Sequence, residues 1–238
     1  MKNKFKSTIY KIIVMAILLL LSFNVTKIIK WKKESIETNK IITQIKLPTI
    51  NIKKENINII SKQEKNKDII GYLKVNNTNI NYPFVKGKDN NYYLNHDINK
   101  KKTTSGWIFL DYRNNSNLKN KNSIIYGHAR KDKTMFGTLK NILKKEWYKD
   151  KFNHIITITN DTKVYKYKIF SIYTIKKENY YLQTYFKNEK DYKDFIETIH
   201  KRSIYNFKTS IKDINYIITL STCYKDNKRL VLHAKLIN

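Results

Sequence analysis

The sequence has very little cysteine, proline and glycine. Among 238 residues there are one cysteine, two prolines and five glycines. A single cysteine excludes an intramolecular disulfide. The lack of paired cysteines, and of two histidines at ligand spacing, argues against a metal site. The sequence therefore predicts no bound metal and no cofactor.

Acidic residues are also scarce, with 19 Asp and Glu against 48 Lys and Arg and a formal net charge of +29. Such an excess favours anionic partners, which include nucleic acid, anionic lipid and a polyanionic cell wall. The lysines are scattered, however, and Lys, Asn, Ile and Tyr are abundant together, as an AT-rich genome would encode. We therefore interpret most of this charge as a solvated surface. Hydrophobic residues make up 41% of the chain, enough for one folded domain with an appendage.

The N-terminus has the pattern of a targeting segment. Several lysines precede an apolar run at residues 12–23, and no small-x-small cleavage pattern follows it. We interpret residues 1–30 as a cytoplasmic basic tail and an uncleaved single-pass signal anchor, with the rest of the chain exported. A cleaved signal is the alternative. Residues 31–67 are predicted as a helical or linker extension and residues 68–238 as the folded domain. An exported location argues against nucleic acid as the partner.

The folded part shows repeated strand signals with few helices between them. Strands are predicted at residues 69–75, 80–85, 106–111, 123–127, 155–159, 164–175, 217–222 and from 229 onward. Residues 135–143 have apolar side chains at helical spacing, and residues 189–200 read as an amphipathic helix. This spacing predicts a mostly β fold with α, in which about eight strands form a closed or nearly closed barrel with peripheral helices.

The one cysteine lies where a strand ends, and Arg229 opens the next strand. A thiol in that place, with a guanidinium nearby, is a candidate nucleophile with an anion stabiliser. The alternative is a cysteine that only packs, which is common for free cysteines. Among five histidines, His128 is the favoured base over His96. It follows a buried-looking strand and Gly127 and opens a polar loop.

Several of these segments carry a family resemblance. The Thr-Leu-Ser-Thr-Cys run at residues 219–223, followed by Arg229, resembles the signature of sortases, the membrane-anchored cysteine transpeptidases of Gram-positive bacteria. Tyr-Gly-His at residues 126–128, with residues 135–139, resembles the histidine segment of that family. The insert from about 176 to 213 and the N-terminal extension resemble class B. The resemblance runs from about residue 69 to the C-terminus and includes the anchor.

The resemblance implies a sortase-like barrel and a mechanism. Cys223 would attack the carbonyl of a threonine in the sorting signal of an exported protein. His128 would protonate the leaving amine and deprotonate the incoming one. Arg229 would position the carbonyl and stabilise the oxyanion. The acyl group would pass to an amine of a peptidoglycan precursor or stem peptide.

Four more residues are predicted to bind substrate. Ser221 lies two positions before the cysteine on the same strand, so it points to the same face, although a structural hydroxyl is an open alternative. Thr222, Tyr224 and Asn95 complete the set. Class B sortases often have an acidic residue where Tyr224 stands, and Trp107 stands where a smaller residue is expected.

Two functions from other classes remain open at this stage. One is a hydrolytic cysteine protease on the outer membrane surface, which would use the same thiol and imidazole. The other is a non-enzymatic basic module that binds wall polyanions or anionic lipid, with salt-sensitive affinity.

Overall fold

The computed structural model describes residues 2–45, 66–160, 163–176 and 178–237. The described residues form three α-helices and eight strands, with short 3-10 helices between them. The α-helices are α1 (Lys2–Ile45), α2 (Lys145–Lys149) and α3 (Glu189–Lys201). The strands are β1 (Ile69–Val75), β2 (Asn81–Lys86), β3 (Phe109–Leu110), β4 (Asn122–Tyr126), β5 (Ile155–Thr159), β6 (Val164–Lys176), β7 (Ile217–Cys223) and β8 (Lys228–Leu236).

The strands close into a barrel in the order β1-β2-β3-β4-β7-β8-β6-β5. Neighbours are antiparallel except for two parallel pairs, β2 with β3 and β4 with β7. Closure pairs every strand on both sides, which leaves no open sheet edge in the barrel. The predicted mostly β fold, a closed barrel of about eight strands with peripheral helices, is confirmed.

Strand β7 is buried along almost its whole length. Its side chains alternate between the barrel interior, where Ile218 and Leu220 join the main core, and the outer face, where Ile217 packs under α3. Only Cys223, the last residue of the strand, is exposed. The barrel therefore holds the strand rigidly on both faces and presents its end to solvent.

Helix α3 covers this outer face, as its amphipathic pattern predicts. The side chain of Asn188 caps the helix by accepting a hydrogen bond from the backbone N–H of Asp191 at 2.9 Å. The buried face consists of Tyr192, Phe195, Ile196 and Ile199. Burial of one such apolar side chain contributes about 1.5–3 kcal/mol, so this face accounts for the position of the helix on the barrel.

Helix α1 has two different halves. Its N-terminal part is long and apolar enough to cross a membrane, with a mean hydropathy of 2.4 in the most apolar window and none of that window buried. Its C-terminal part packs on the barrel, where Ile42 enters the main core and the Thr38 hydroxyl donates to Ser105 at 2.8 Å. The helix is continuous across residue 30 and extends to Ile45. Residues 46–65, which belong to the predicted helical or linker extension at 31–67, lie outside the described residues.

Two predicted elements are shorter than expected. The strand predicted at residues 106–111 is only Phe109–Leu110, because Gly106 has a φ of +56° and the indole N–H of Trp107 turns inward to donate to the carbonyl of Pro83 at 2.8 Å. Trp107 is thus a buried core residue. The helix expected at residues 135–143 is a 3-10 helix that begins only at Leu139, since Met135 has a φ of +50°.

Candidate active site

Cys223 and Arg229 face each other in the antiparallel register of β7 and β8. The intervening turn contains Asp226 and Asn227 with φ values of +54° and +56°, a conformation that suits a tight hairpin connection. The Nη1 atom of Arg229 donates to the Sγ atom of Cys223. The thiol is exposed and the guanidinium half-buried, so a cation lies against an accessible sulfur.

The parallel pairing of β4 with β7 brings His128 to the same place. Tyr126 is paired with Ser221 in this parallel register. Two residues further along each chain, His128 therefore lies beside Cys223 at the end of β7. The Thr222 hydroxyl donates to the carbonyl of Gly127 at 2.6 Å and fixes the backbone just before the histidine. His128, Cys223 and Arg229 all line one groove. Residues that are about 100 positions apart in the sequence are thereby gathered at one end of the barrel.

The imidazole of His128 is oriented by the backbone. Its Nε2 atom lies 2.7 Å from the carbonyl oxygen of Leu94. A carbonyl can only accept, so Nε2 carries the hydrogen and Nδ1 is the nitrogen that can gain and lose a proton. The ring lies against Gly106, where an added Cβ would come within 2.9 Å of Cδ2 of the histidine. Gly106, which has a positive φ, therefore leaves the space that the imidazole of His128 occupies.

The groove beside these three side chains has a volume of about 570 Å³. One wall comes from the segment between β6 and α3, where Tyr181 and Leu182 face the strand ends. Its lining residues are Asn90, Asn91, Leu94, Phe109, Tyr126, Gly127, His128, Glu178, Asn179, Tyr181, Leu182, Ser221, Thr222, Cys223 and Arg229. The lining combines apolar and polar side chains.

This wall is held by hydrogen bonds to its backbone and to the phenol of Tyr181. The Asn122 amide donates to the carbonyls of Tyr181 at 3.2 Å and Gln183 at 2.8 Å, and Arg113 donates to the carbonyl of Leu182 at 3.0 Å. The phenol of Tyr181 is 2.9 Å from the hydroxyl of Ser221. Burial raises the pKa of Tyr181, so the phenol stays neutral and can donate.

A buried carboxylate supports the floor of the groove. Asp111 accepts hydrogen bonds from Nη2 of Arg113 at 2.7 Å, from the Tyr126 hydroxyl at 2.9 Å and from the Asn90 amide at 3.0 Å. Burial alone would raise the pKa of Asp111, but the bonds from Arg113 and Tyr126 hold it below its ordinary value. The carboxylate stays charged and joins three segments of the groove.

The structure places the predicted substrate residues in two groups. Ser221 and Thr222 line the groove, and both hydroxyls are already engaged, one with Tyr181 and the other with Gly127. Tyr224 packs against the main core and Asn95 is exposed after a 3-10 helix, and neither lines the groove. The wall formed by Tyr181 and Leu182 was missed by sequence reasoning. Its only signal is a cluster of aromatic residues in the insert after β6.

Three of the other four histidines are held by contacts away from the groove. His233 is buried between the Tyr173 hydroxyl at 2.9 Å and the Thr219 hydroxyl at 2.8 Å, and burial lowers its pKa to about 3. His154 is bonded to the carbonyl of Tyr148. His96 stacks on the ring of Tyr92. Among the described residues, no group of three or more His, Cys, Asp and Glu side chains is placed to hold a metal ion.

Comparison with known proteins gives consistent matches. The family model described as Sortase domain matches residues 73–237. Sortase B of Listeria monocytogenes is 37% identical over 181 residues, which cover 74% of this chain and 72% of the relative. A crystal structure of sortase B from B. anthracis has a TM-score of 0.76 at 33% identity and covers 87% of this chain and 99% of that one. The Staphylococcus aureus sortase B–substrate complex has a TM-score of 0.69 at 31% identity and covers 90% and 98%.

Proposed function

This chain belongs to the sortase family, class B, whose members are cysteine transpeptidases that anchor surface proteins, and we propose that it carries out this reaction with Cys223, His128 and Arg229. The observation that carries the proposal is the guanidinium of Arg229 on the sulfur of Cys223, with His128 at the end of the neighbouring strand. The donor is the sorting-signal peptide of an exported protein, and it lies in the groove beside Tyr181 and Ser221.

In the first half-reaction the thiolate of Cys223 attacks the carbonyl carbon of a threonine in the sorting signal. The C–N bond to the next residue breaks and a thioester forms. The leaving amine takes its proton from Nδ1 of His128, because Nε2 is bonded to the carbonyl of Leu94.

In the second half-reaction an amine attacks the thioester carbonyl. It passes a proton to Nδ1 of His128, an amide bond forms and the thiolate of Cys223 leaves. The acceptor is an amino group of a peptidoglycan precursor or stem peptide. In both steps the Arg229 guanidinium lies where negative charge develops on the carbonyl oxygen and on the sulfur. A preorganised cationic donor of this kind stabilises the transition state more than the ground state.

We assign the N-terminal half of α1 to a membrane span with the basic end in the cytoplasm and the barrel outside the cell. The apolar exposed surface of this half supports the span, and the lysines before residue 12 support the orientation. The division of the chain into an anchor at 1–30, an extension at 31–67 and a catalytic domain at 68–238 is part of this proposal. Donor and acceptor would then meet the enzyme on the outer surface of the membrane.

The test uses the full chain in lipid nanodiscs with a panel of quenched peptides of the Thr-Gly and Thr-Asn sorting type. Each peptide is incubated with and without an amine acceptor, beside Cys223→Ala and the surface control Lys225→Ala. We expect cleavage, a Cys223 acyl-enzyme adduct in the intact mass, and an amine-linked product, all lost only in Cys223→Ala. Cleavage that yields only free acid at any acceptor concentration would instead identify a protease. Absence of cleavage and of an adduct with every peptide would refute the enzymatic proposal.

A further inference from the structure

We infer that residues 24–31 of α1, just beyond the apolar run, form one wall of the acceptor subsite, which takes a primary amine carried on an anionic molecule. This inference rests on the proposed transpeptidase function and assigns to α1 a role in substrate recognition. The helix would thus do more than hold the enzyme at the membrane.

The first observation is a second pocket that shares the reacting side chains. This pocket, called the anchor-side pocket below, has a volume of about 640 Å³. Its lining residues are Asn24, Lys27, Ile28, Trp31, Thr104, His128, Ala129, Arg130, Lys131 and Cys223. His128 and Cys223 line both this pocket and the groove. The two side chains therefore lie at a boundary between two separate spaces.

Such an arrangement suits a transpeptidase because two substrates meet at one thioester. The acyl group stays in the groove after the first half-reaction, and an amine that approaches from another side reaches the thioester carbonyl without displacing it. The anchor-side pocket opens on the same sulfur and on the imidazole that must take the proton of the amine.

The charges that line the anchor-side pocket indicate which amine it accepts. Its lining contains three cations and no carboxylate. Arg130 is paired with Asp132 at 2.7 Å, while Lys27 and Lys131 are exposed and have no ion-pair partner among the described residues. The ammonium of Lys27 lies over the ring of Phe23, 4.2 Å from its centroid, which leaves its charge open to an anion. Two cations without a carboxylate partner attract an anionic carrier. They also disfavour the protonated form of an incoming amine, which leaves more of it in the nucleophilic form.

The α1 wall is held in place by contacts further along the helix. The Ser35 hydroxyl donates to Oδ2 of Asp132 at 2.6 Å, and Glu34 accepts from the backbone N–H of Thr104 at 3.2 Å. Burial opposes ionisation of Asp132, but the bonds from Arg130, Ser35 and Thr134 hold its pKa well below the ordinary value. The loop that follows His128 and the helix are thus joined through one charged carboxylate.

Trp31 connects this docking contact to the pocket. Its ring lies 5.9 Å from the guanidinium carbon of Arg130, within cation–π range, and 40% of the residue remains exposed. Ile28, one turn earlier on the helix, is 62% exposed beside it. Together they offer apolar surface next to Lys27, a combination suited to an amphipathic acceptor with an anionic group.

The experiment uses the full chain in nanodiscs and separates acylation from transfer. Intact mass spectrometry measures the rate at which a donor peptide that the enzyme cleaves forms the Cys223 acyl-enzyme. Product analysis then measures how much of the acyl group is transferred to the amine and how much is hydrolysed. Three acceptors carry the same amine: triglycine, triglycine amide and triglycine joined through its carboxyl group to phosphatidylethanolamine in the disc. Triglycine carries a carboxylate, the lipid-linked acceptor carries a phosphate, and triglycine amide carries no anion. The set therefore distinguishes an anion on a soluble acceptor from an anion on a lipid.

The variants are Lys27→Glu and Trp31→Ala, with Trp31→Phe as a conservative rescue. Lys32→Glu and Ile36→Ala are the matched controls on exposed positions of α1 that do not line the anchor-side pocket. We expect Lys27→Glu to reduce transfer to the anionic acceptors by about ten-fold, a change that corresponds to one charge contact near the surface. Trp31→Ala should also reduce this transfer, because it removes apolar surface beside Lys27. Acyl-enzyme formation should be unchanged, and Trp31→Phe should recover part of the transfer.

A defect with the lipid-borne acceptor alone would support a lipid-borne anion, and a defect with both anionic acceptors would support recognition of the anion itself. Equal transfer by all variants and controls with all three acceptors would overturn the inference while leaving the proposed function intact. Failure of wild-type enzyme to form any Cys223 adduct would refute both. Melting temperatures of the variants show whether each variant keeps its fold.

Discussion

The guanidinium of Arg229 donates to the sulfur of Cys223, its register partner across the β7–β8 hairpin. Because the two residues are on paired strands, the cation is held beside the nucleophile before substrate binds. This geometry predicts that the arginine contributes through its position as well as through its charge.

Removal of this guanidinium should slow acylation. We expect Arg229→Ala to lower kcat/KM for donor cleavage by about 10²–10³-fold, as for loss of one preorganised oxyanion donor. Arg229→Lys should recover only part of the lost kcat/KM, since a lysine keeps the charge but lacks the planar fork of donors. Lys228→Ala, the neighbour in the same strand, is the control. Cleavage by Arg229→Ala at the wild-type rate, measured with a panel peptide that the wild-type enzyme cleaves, would contradict the assignment.

Gly106 should be intolerant of a side chain. In Gly106→Ala the Cβ would lie 2.6 Å from the Tyr93 carbonyl and 2.7 Å from the Leu94 carbonyl, at a φ of +56°. The Leu94 carbonyl orients His128, so we expect lower kcat together with a loss of roughly 1–3 kcal/mol in the free energy of unfolding. Gly87→Ala is the matched control, because its nearest contacts are at 3.3 Å. Urea unfolding and steady-state kinetics check both effects, and a Gly106→Ala enzyme with the kcat of Gly87→Ala would contradict the prediction.

The hydroxyl pair of Ser221 and Tyr181 should act as one unit. Their oxygens are 2.9 Å apart and both are buried, so either single deletion leaves a polar atom without its partner. We expect a double-mutant cycle of Ser221→Ala and Tyr181→Phe on donor kcat/KM to give a coupling energy of about 0.5–3 kcal/mol. Additive effects would show that Ser221 acts on the substrate independently of the wall. Tyr180→Phe, on the adjacent exposed ring, is the control.

Acid should weaken the floor of the groove through Asp111. Its pKa in the folded protein lies below the ordinary value of 3.8, because Arg113 and Tyr126 outweigh the effect of burial. A depressed carboxyl pKa contributes stability that is present above the ordinary value and is lost as the pH falls through the folded value. We therefore expect the melting temperature of Asp111→Asn to lie below that of wild type at pH 7, and the gap to narrow below about pH 4.

Circular dichroism from pH 7 to pH 3 measures this gap. The control is Asp213→Asn, which changes an exposed carboxylate before β7 that makes no ion pair among the described residues. Its difference from wild type should stay small across the range. A gap for Asp111→Asn that does not change with pH would mean that the carboxylate contributes shape and hydrogen bonding but no charge.

Local pattern accounts for much of what the sequence predicted correctly. The strands were anticipated because alternating or continuous apolar residues bounded by turn residues report burial along a single segment. The exception was the strand at residues 106–111, which the inward turn of Trp107 shortens to Phe109–Leu110. That turn depends on a hydrogen bond to Pro83, a contact between distant segments that no local pattern reports.

The residues of the candidate site likewise fall into those that local pattern predicts and those that depend on contacts between distant segments. Local position marked Cys223, Arg229 and His128 only as candidates, and the resemblance to sortases gave them their predicted roles. The prediction also named Asn95 and Tyr224, which the structure leaves outside the groove, and it did not name Tyr181 and Leu182, which form a wall. The wall depends on bonds from Asn122 and Arg113 to its backbone, which come from other parts of the barrel.

The sequence by itself determined the apolar N-terminal segment, the strand-rich barrel and the thiol at the end of β7, since each depends on residues close together along the chain. Only the tertiary structure decided the parallel pairing of β4 with β7, the wall over the groove and the docking of α1 beside Cys223. These features depend on contacts between segments about 60 or more residues apart. Their energies arise only when the chain has closed around its core, and therefore leave no periodic signal in any single stretch of sequence.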